Sequence, residues 1–289
     1  MVRNRPAVPP VGHSKKRMTE WPFLLICYTV TMKLKTIQWN IGGGKLVVSG
    51  ADPTLLSSYV IDGLDSIIAL LQEHQPDIIT LQETHSANGH SQPETIAKAL
   101  GYPNWYNDEY ADSHIEAGQR LGQGIVSKFP LSDHSFELFT NPHFKAVWED
   151  GSIAISHDKG RTRCTVKLPD NVDIIVQTFH TVPFRRFKVE LESTEAKAVL
   201  LDMGSKLKVN EPGLIQADFN VDVQSLHPLF PDLFEVGYEE IVQTQPTTPK
   251  GHHYDHILYK GLLLLTSTLV STVETDHYPI VSEFELSTK

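Results

Sequence analysis

The chain has little of what would tie it to an oxidising compartment or to a thiolate-bound metal. Cys27 and Cys164 are the only two cysteines in 289 residues and stand far apart. That excludes a disulfide framework and a cysteine-ligated zinc site, and both are expected to be unpaired thiols. Positive charge is also scarce, with 25 Lys and Arg against 35 Asp and Glu and a net charge of −10. Such a field repels polyanions and disfavours a protein that coats nucleic acid non-specifically. An enzyme acting on a phosphodiester remains open, because a bound divalent cation reverses the local sign within an acidic site. An apolar run of bilayer length is absent as well. Residues 21–30 follow Arg3, Arg5, Lys15, Lys16 and Arg17 and imitate a secretory signal, but the run is too short to span a membrane and no small-residue cleavage site follows it. Residues 1–31 therefore read as a disordered extension or an upstream start before Met32, with a signal or anchor as the alternative. No stable membrane insertion and a cytoplasmic location are expected, and no internal repeat or low-complexity segment occurs.

What is present is an ordinary globular composition, 40% hydrophobic and 21% charged, with ample chain for a sizeable core. Residues 33–40 largely alternate polar and apolar, as a half-buried strand does, and end in Asn40 before Gly42, Gly43 and Gly44. Residues 57–74 carry Val60, Ile61, Leu64, Ile67, Ile68 and Leu71 at helical spacing, with Pro76 as the stop. A strand over 77–83 ends in Glu83, and a short helix over 93–100 is closed by Gly101. Strands are expected over 122–129 and, returning antiparallel, over 131–139. Residues 162–168 and 172–179 form a hairpin pattern that ends at His180. A helix is expected over 184–203, closed by Gly204, and loops over 221–254. Strands follow over 255–260, 262–270 and 279–286. Hairpins mixed with helices indicate an α/β sandwich with antiparallel pairs, not a doubly wound parallel sheet.

The stretch Gly213-Leu214-Ile215-Gln216-Ala217-Asp218-Phe219-Asn220 is an apolar run that stops on an acid and an amide. It reads as a buried strand whose carboxyl end lies where α/β sheets place chemistry. An Asp-x-Asn after a strand also suits a turn in which Asx side chains bond their own backbone. Its company favours function. Asn40, Glu83, His180, Asp218 with Asn220, and Asp276-His277 all stand at or beside strand ends, and all suit phosphate or metal chemistry.

With these motifs the chain resembles the endonuclease/exonuclease/phosphatase family of DNase I-like phosphodiesterases. The resemblance covers about residues 32–286. It rests on Gln38-Trp39-Asn40, Leu81-Gln82-Glu83, Gly124-Ile125-Val126-Ser127-Lys128-Phe129-Pro130-Leu131, Thr178-Phe179-His180, Asp218-Phe219-Asn220, Tyr254-Asp255-His256-Ile257-Leu258 and Thr275-Asp276-His277-Tyr278-Pro279. Ala217 replaces the usual glycine before the catalytic Asp, and Thr275 the usual serine before Asp-His. Both replacements are small and leave the acids in place. The resemblance implies a single catalytic domain over 32–289 with a four-layer α/β/β/α sandwich, two mixed β-sheets face to face with outer helices. It implies Glu83 as the principal Mg²⁺ ligand, with Mn²⁺ as a substitute, and Asn40 beside it. Asp218 would orient or deprotonate the attacking water, Asn220 would hold that water or a phosphate oxygen, and His180 and His277 would donate to phosphoryl oxygens. Asp255 would fix the tautomer of His277, and Asp276 would touch a metal or support its loop. A hard cation that prefers oxygen fits a site of carboxylate and amide, and in-line displacement at phosphorus needs little beyond such a cation and positioned donors.

The substrate is less constrained. Lys45, Arg120, Lys128, Lys145, Arg185 and Arg186 are the candidate basic contacts, and Arg161 and Arg163 could reach a phosphate. Trp105, Tyr106, Tyr110, Phe144 and Trp148 could stack on a base or a lipid, although loop aromatics more often cap the core. A metal-dependent phosphodiester hydrolase is expected, with nucleic acid as the leading substrate. Phosphomonoesterase and lipid phosphodiesterase are alternatives, as is a catalytically inactive binding module; an oligomeric state is not specified. Intact acids and histidines weigh against the last of these, since buried charges cost stability unless paired or metal-bound.

Overall fold

The computed structural model describes residues 31–147 and 151–287. The expected extension lies outside these residues except for Thr31, and so do Cys27 and Trp148. In chain order the strands and helices are β1 (Thr31–Asn40), β2 (Lys45–Val47), β3 (Tyr59–Asp62), α1 (Leu64–His74), β4 (Ile78–Ala87), β5 (His90–Ser91), α2 (Gln92–Leu100), β6 (Asn104–Asp112), β7 (Arg120–Ser127), β8 (Leu131–Leu138), β9 (Lys145–Val147) and β10 (Ile153–Ile155). They continue with β11 (Gly160–Leu168), β12 (Val172–Phe179), α3 (Thr194–Leu207), β13 (Gly213–Asp218), α4 (Pro231–Glu235), β14 (Glu239–Ile241), β15 (Asp255–Lys260), β16 (Leu263–Leu269) and β17 (Ile280–Ser287).

Two mixed sheets carry the fold. The first runs β16-β17-β1-β4-β7-β6 with β5 on β4, and the second β14-β15-β13-β12-β11-β8. Each has one parallel pair near its centre, β1 with β4 and β12 with β13, and antiparallel neighbours elsewhere. A parallel pair needs a crossover, and α1 and α3 supply the two.

Strand alternation sorts the side chains into three apolar layers. Leu34, Ile78, Ile125, Cys164, Val176, Leu214 and Ile257 meet between the sheets. Ile37, Trp39, Ile79 and Leu81 face α1 and α2. Phe179, Ile215, Ala217 and Phe219 face α3 and α4. The result is the expected four-layer α/β/β/α sandwich. Cys164 is a buried free thiol whose pKa burial pushes up to about 12. Among the described residues no helix is long and apolar enough to cross a membrane.

Several local expectations change. The pattern over 57–74 is not one helix: Val60 and Ile61 lie exposed on β3, which pairs with β2, and α1 starts only at Leu64. Gly63, with no Cβ to collide with Leu46, separates the two. β8 does not return beside β7 but crosses to the second sheet and pairs with β11; Pro130 turns the chain between layers and not back along one sheet. The helix expected over 184–203 is a 3-10 turn, Phe184–Phe187, followed by α3, whose N-cap Ser193 accepts from Ala196 N at 3.2 Å. Gly204 lies inside α3 and does not end it. The loops over 221–254 contain α4 and β14.

Candidate active site

The two parallel pairs end at the same edge of the sandwich, and the chain there presents Asn40, Glu83, His180 and Asp218 together. On β1, positions 34, 36, 38 and 40 share the inward face, and β13 repeats this with 214, 216 and 218. Inward residues change from apolar to polar toward this edge. Gln82 Nε2 donates to Thr178 Oγ1 at 2.7 Å, and Gln216 Nε2 to Thr36 Oγ1 at 2.7 Å. Both bonds tie one sheet to the other. On the opposite face the buried rings of Phe179 and Phe219 pack edge to face at 4.6 Å, directly behind His180 and the Asp218–Asn220 loop.

Glu83 is not at the end of its strand, because β4 continues to Ala87. It sits at a β-bulge, where the register with β7 shifts between Gln82 and Thr84, and its φ is +50°. Regular alternation would send it with Ile79 and Leu81 toward the helices. The bulge re-aims it at the edge, and a left-handed non-glycine residue costs about 1 kcal/mol or more for doing so.

Asp218 is the hub. Its Oδ2 accepts from Asn40 Nδ2 at 2.9 Å and lies 3.6 Å from His180 Nε2 and 3.7 Å from His277 Nε2. Its Oδ1 accepts from the backbone N–H of Asn220 at 2.8 Å. Asn220 has φ +49° and donates its side-chain amide to Thr181 O at 3.2 Å. The Asp-x-Asn is thus an Asx-type turn that also carries the buried acid. Burial raises the Asp218 pKa to about 7, with His277 opposing and Asp255 reinforcing.

The two histidines differ in their backing. His277 Nδ1 lies 2.8 Å from Asp255 Oδ2, and Asp255 Oδ1 accepts from Gln38 Nε2 at 2.9 Å. Burial opposes the imidazolium there, but Asp255 and Asp218 outweigh it, so the His277 pKa stands well above the ordinary value. His180 Nδ1 instead lies 3.1 Å from Lys159 Nζ, and burial, followed by that ammonium, holds its pKa well below the ordinary value. Lys159 Nζ also reaches Tyr110 OH at 3.3 Å, and burial lowers its pKa to about 8. Arg186, on the turn Phe184–Phe187, and Lys250 lie within electrostatic reach of Glu83.

A cation could be held in two ways. Asp218, Asp255 and His277 offer ligand atoms within 4.8 Å of one another, but both oxygens of Asp255 are already taken, one by His277 and one by Gln38. Asp276 Oδ1, in contrast, is buried with no hydrogen-bond partner. It points where a Cβ on Gly42 would stand, 2.6 Å away, so only glycine fits there. Glu83, within electrostatic reach of Asp276, and Asn40, whose Oδ1 also accepts from Gly42 N at 3.0 Å, could join it as oxygen donors of the kind a hard cation takes.

All eight residues expected at the site come to this one edge. Arg161 does not: it faces outward from β11, buried against Lys206 O, Gln177 and Glu137. Lys45, Arg120, Lys128 and Arg185 are paired with carboxylates. Trp105, Tyr106 and Phe144 cap the apolar layers. Lys159 was not among the expected site residues, yet the hairpin register carries the signal. Arg161 pairs with Phe179, so counting one step beyond the strands sets the residue before Arg161 opposite His180 and brings Lys159 to the site.

A profile described as Endonuclease/Exonuclease/phosphatase family matches residues 37–277. No curated protein sequence matches the chain. Among solved structures, an endonuclease/exonuclease/phosphatase from Beutenbergia cavernae DSM 12333 is 16% identical with a TM-score of 0.66, the match covering 88% of this chain and 72% of that one. The human Nocturnin catalytic domain with bound sulfate anion is 15% identical, TM-score 0.61, covering 89% and 97%. ANGEL2, a 2',3'-cyclic phosphatase, is 13% identical, TM-score 0.59, covering 89% and 96%. At these identities the likeness is one of fold.

Proposed function

We propose that this chain, which belongs to the endonuclease/exonuclease/phosphatase family, is a divalent-metal-dependent hydrolase of phosphodiester bonds, with a nucleic acid strand as its leading substrate. Family and fold make it a hydrolase of phosphate esters. The observation that carries the finer reading is the surround of Asp218 Oδ2, a buried carboxylate oxygen with two imidazole Nε2 atoms at 3.6 and 3.7 Å and an amide at 2.9 Å.

Asp218 takes the role of proton acceptor for the attacking water, because its raised pKa makes it a competent base near neutral pH. His277, held by Asp255 and cationic, donates to a phosphoryl oxygen or to the leaving oxygen, and His180 donates from the other side. Glu83, Asn40 and Asp276 would hold Mg²⁺ or Mn²⁺, which when bound neutralises charge on the phosphoryl group. Arg186 and Lys250 add local positive charge that the overall balance lacks. A cyclic phosphatase of the same fold fits a diester substrate class.

A hydrolysis panel tests this: single- and double-stranded DNA, RNA, bis(para-nitrophenyl) phosphate and para-nitrophenyl phosphate, each with Mg²⁺, Mn²⁺ or EDTA. Metal-dependent cleavage of the diesters ahead of the monoester is expected. Cleavage of the monoester alone would replace the reading with a phosphomonoesterase, and no cleavage of any ester would leave a binding module.

A further inference from the structure

We propose that Lys159 is a positioning residue that fixes the His180 imidazole in the tautomer carrying its proton on Nε2, so that this ring donates into the site. The inference rests on the reading of His180 as a donor to phosphoryl oxygens and adds a residue that acts through it.

The tautomer of a histidine is set by whatever the other ring nitrogen meets. A lysine ammonium has three donors and no acceptor. With Lys159 Nζ 3.1 Å from His180 Nδ1, Nδ1 must offer its lone pair, and the proton belongs on Nε2. That nitrogen faces Asp218 Oδ2 at 3.6 Å. A buried ammonium is costly unless its donors find partners. Lys159 is 3% exposed, and its partners are His180 Nδ1, Tyr110 OH at 3.3 Å and the face of the Tyr110 ring at 4.5 Å. Tyr110 OH itself lies 3.5 Å from the same Nδ1.

A competitor makes this lysine necessary. Glu83 Oε1 lies 3.4 Å from His180 Nδ1, and a carboxylate there draws the proton to Nδ1. Without Lys159 the Nε2 lone pair would then point at Asp218 and at phosphate oxygens, all of them acceptors. Asp255 does the reverse for His277, accepting from its Nδ1 at 2.8 Å. The two rings that flank one carboxylate oxygen are therefore held by partners of opposite sign. His277 can release and regain a proton, whereas His180 serves as a fixed donor.

The experiment reads proton positions directly. Long-range proton–nitrogen correlation spectra of the full chain in EDTA, with His180 assigned by its loss in His180→Asn, should show His180 Nε2 protonated and Nδ1 bare. In Lys159→Met the His180 signals should move toward the Nδ1–H form. The kcat for bis(para-nitrophenyl) phosphate with Mg²⁺ should fall about 10- to 100-fold, the range for losing a residue that orients a ligand or donor, with KM changed by less than roughly 3-fold. Lys159→Arg, still a donor, should keep the tautomer and most of the kcat. The wild-type spectrum decides even if the methionine variant does not fold, since an Nδ1–H ring there overturns the proposal. So does a Lys159→Met protein with unchanged tautomer, whether kcat is kept or lost. If wild type cleaves no phosphate ester, the catalytic reading fails, while the spectra still decide whether Lys159 sets the ring.

Discussion

Replacing Asp218 by asparagine should move stability and turnover in opposite directions. The residue is 1% exposed, and burial raises its pKa to about 7 from an ordinary 3.8. The unfolded chain gives up this proton near the ordinary value and the folded chain holds it to about 7. Between the two the folded state binds more protons, so stability falls as pH rises, and the full cost is present above pH 7. At about 1.4 kcal/mol per pH unit the cost is on the order of 4 kcal/mol. Asparagine removes that cost but cannot replace both acceptors. Asp218 accepts from Asn40 Nδ2 through Oδ2 and from Asn220 N through Oδ1, and an amide can keep only one of these bonds. An unsatisfied buried donor costs about 1–3 kcal/mol. The variant should therefore be roughly 2 kcal/mol more stable than wild type at pH 8 in EDTA, a rise of about 4 °C in Tm, and should lose that advantage by pH 4. Its turnover should fall by about 10² to 10⁴, as for loss of a general base. Thermal melts across this pH range with EDTA, together with diester hydrolysis at saturating Mg²⁺, measure both. A variant less stable at every pH would refute the strained-carboxylate argument, and near-normal turnover would remove Asp218 from the chemistry.

Glu83→Gln should weaken metal binding, because the amide keeps the shape and loses the charge; raising Mg²⁺ should restore part of the activity, and wild-type activity at limiting Mg²⁺ would show that Glu83 is not a ligand. Glu240 accepts from Ser225 Oγ at 2.7 Å and from Leu226 N at 3.0 Å, with His256 Nδ1 3.1 Å away. Its pKa is lowered, burial being the largest influence and raising it, but outweighed by these partners. That stabilisation is complete above the ordinary glutamate range and is lost as pH falls through the depressed folded value. Glu240→Gln should accordingly cost about 1–3 kcal/mol at pH 7, with the gap closing in acid; urea titrations at pH 7 and 3 measure it, and a constant gap would sink the argument. Removing residues 1–30 should leave folding and hydrolysis intact, since β1 pairs from Thr31 onward; an insoluble product would show that the segment packs on the domain.

Strand positions were legible from alternation in β1, from the hairpin pattern before His180 in β12 and from the apolar run that stops on Asp218 in β13, and Asn40, His180 and Asp218 stand at or just beyond their ends. Glu83 was legible as a residue but not as a geometry, since a bulge that turns one side chain through the sheet leaves no trace in hydrophobic period. The helix expected from residue 57 failed because Val60 and Ile61 sit in a short edge hairpin, where apolar spacing alone does not separate strand from helix. The β7–β8 pairing failed because a turn at Pro130 says that the chain reverses but not in which layer. Lys159 was hidden for a different reason. A lysine before a strand reads as solvated, and only the partner strand's His180 gives it a buried role.

The site residues do not begin abruptly where the apolar strands end. Two positions before Asn40, His180 and Asp218, on the same inward face, stand Gln38, Thr178 and Gln216; Gln82 immediately precedes Glu83 at the bulge. All four are fully buried. Buried amides and hydroxyls with this many cross-sheet bonds add less stability than apolar packing of the same volume would, and they are costly if left half satisfied. What they supply is orientation. Gln38 donates to both Gln82 and Asp255 at 2.8 and 2.9 Å, so the acid that holds His277 is itself held by the strand that carries Asn40. An apolar residue at position 38 would leave Asp255 Oδ1 buried without that donor, and the carboxylate would be free to turn from His277. The polar band thus joins β1, β4, β12, β13 and β15 into one hydrogen-bonded frame behind the edge. The charged groups in front of that frame, Asp218 and Glu83 among them, can then be strained in burial or backbone without drifting from each other.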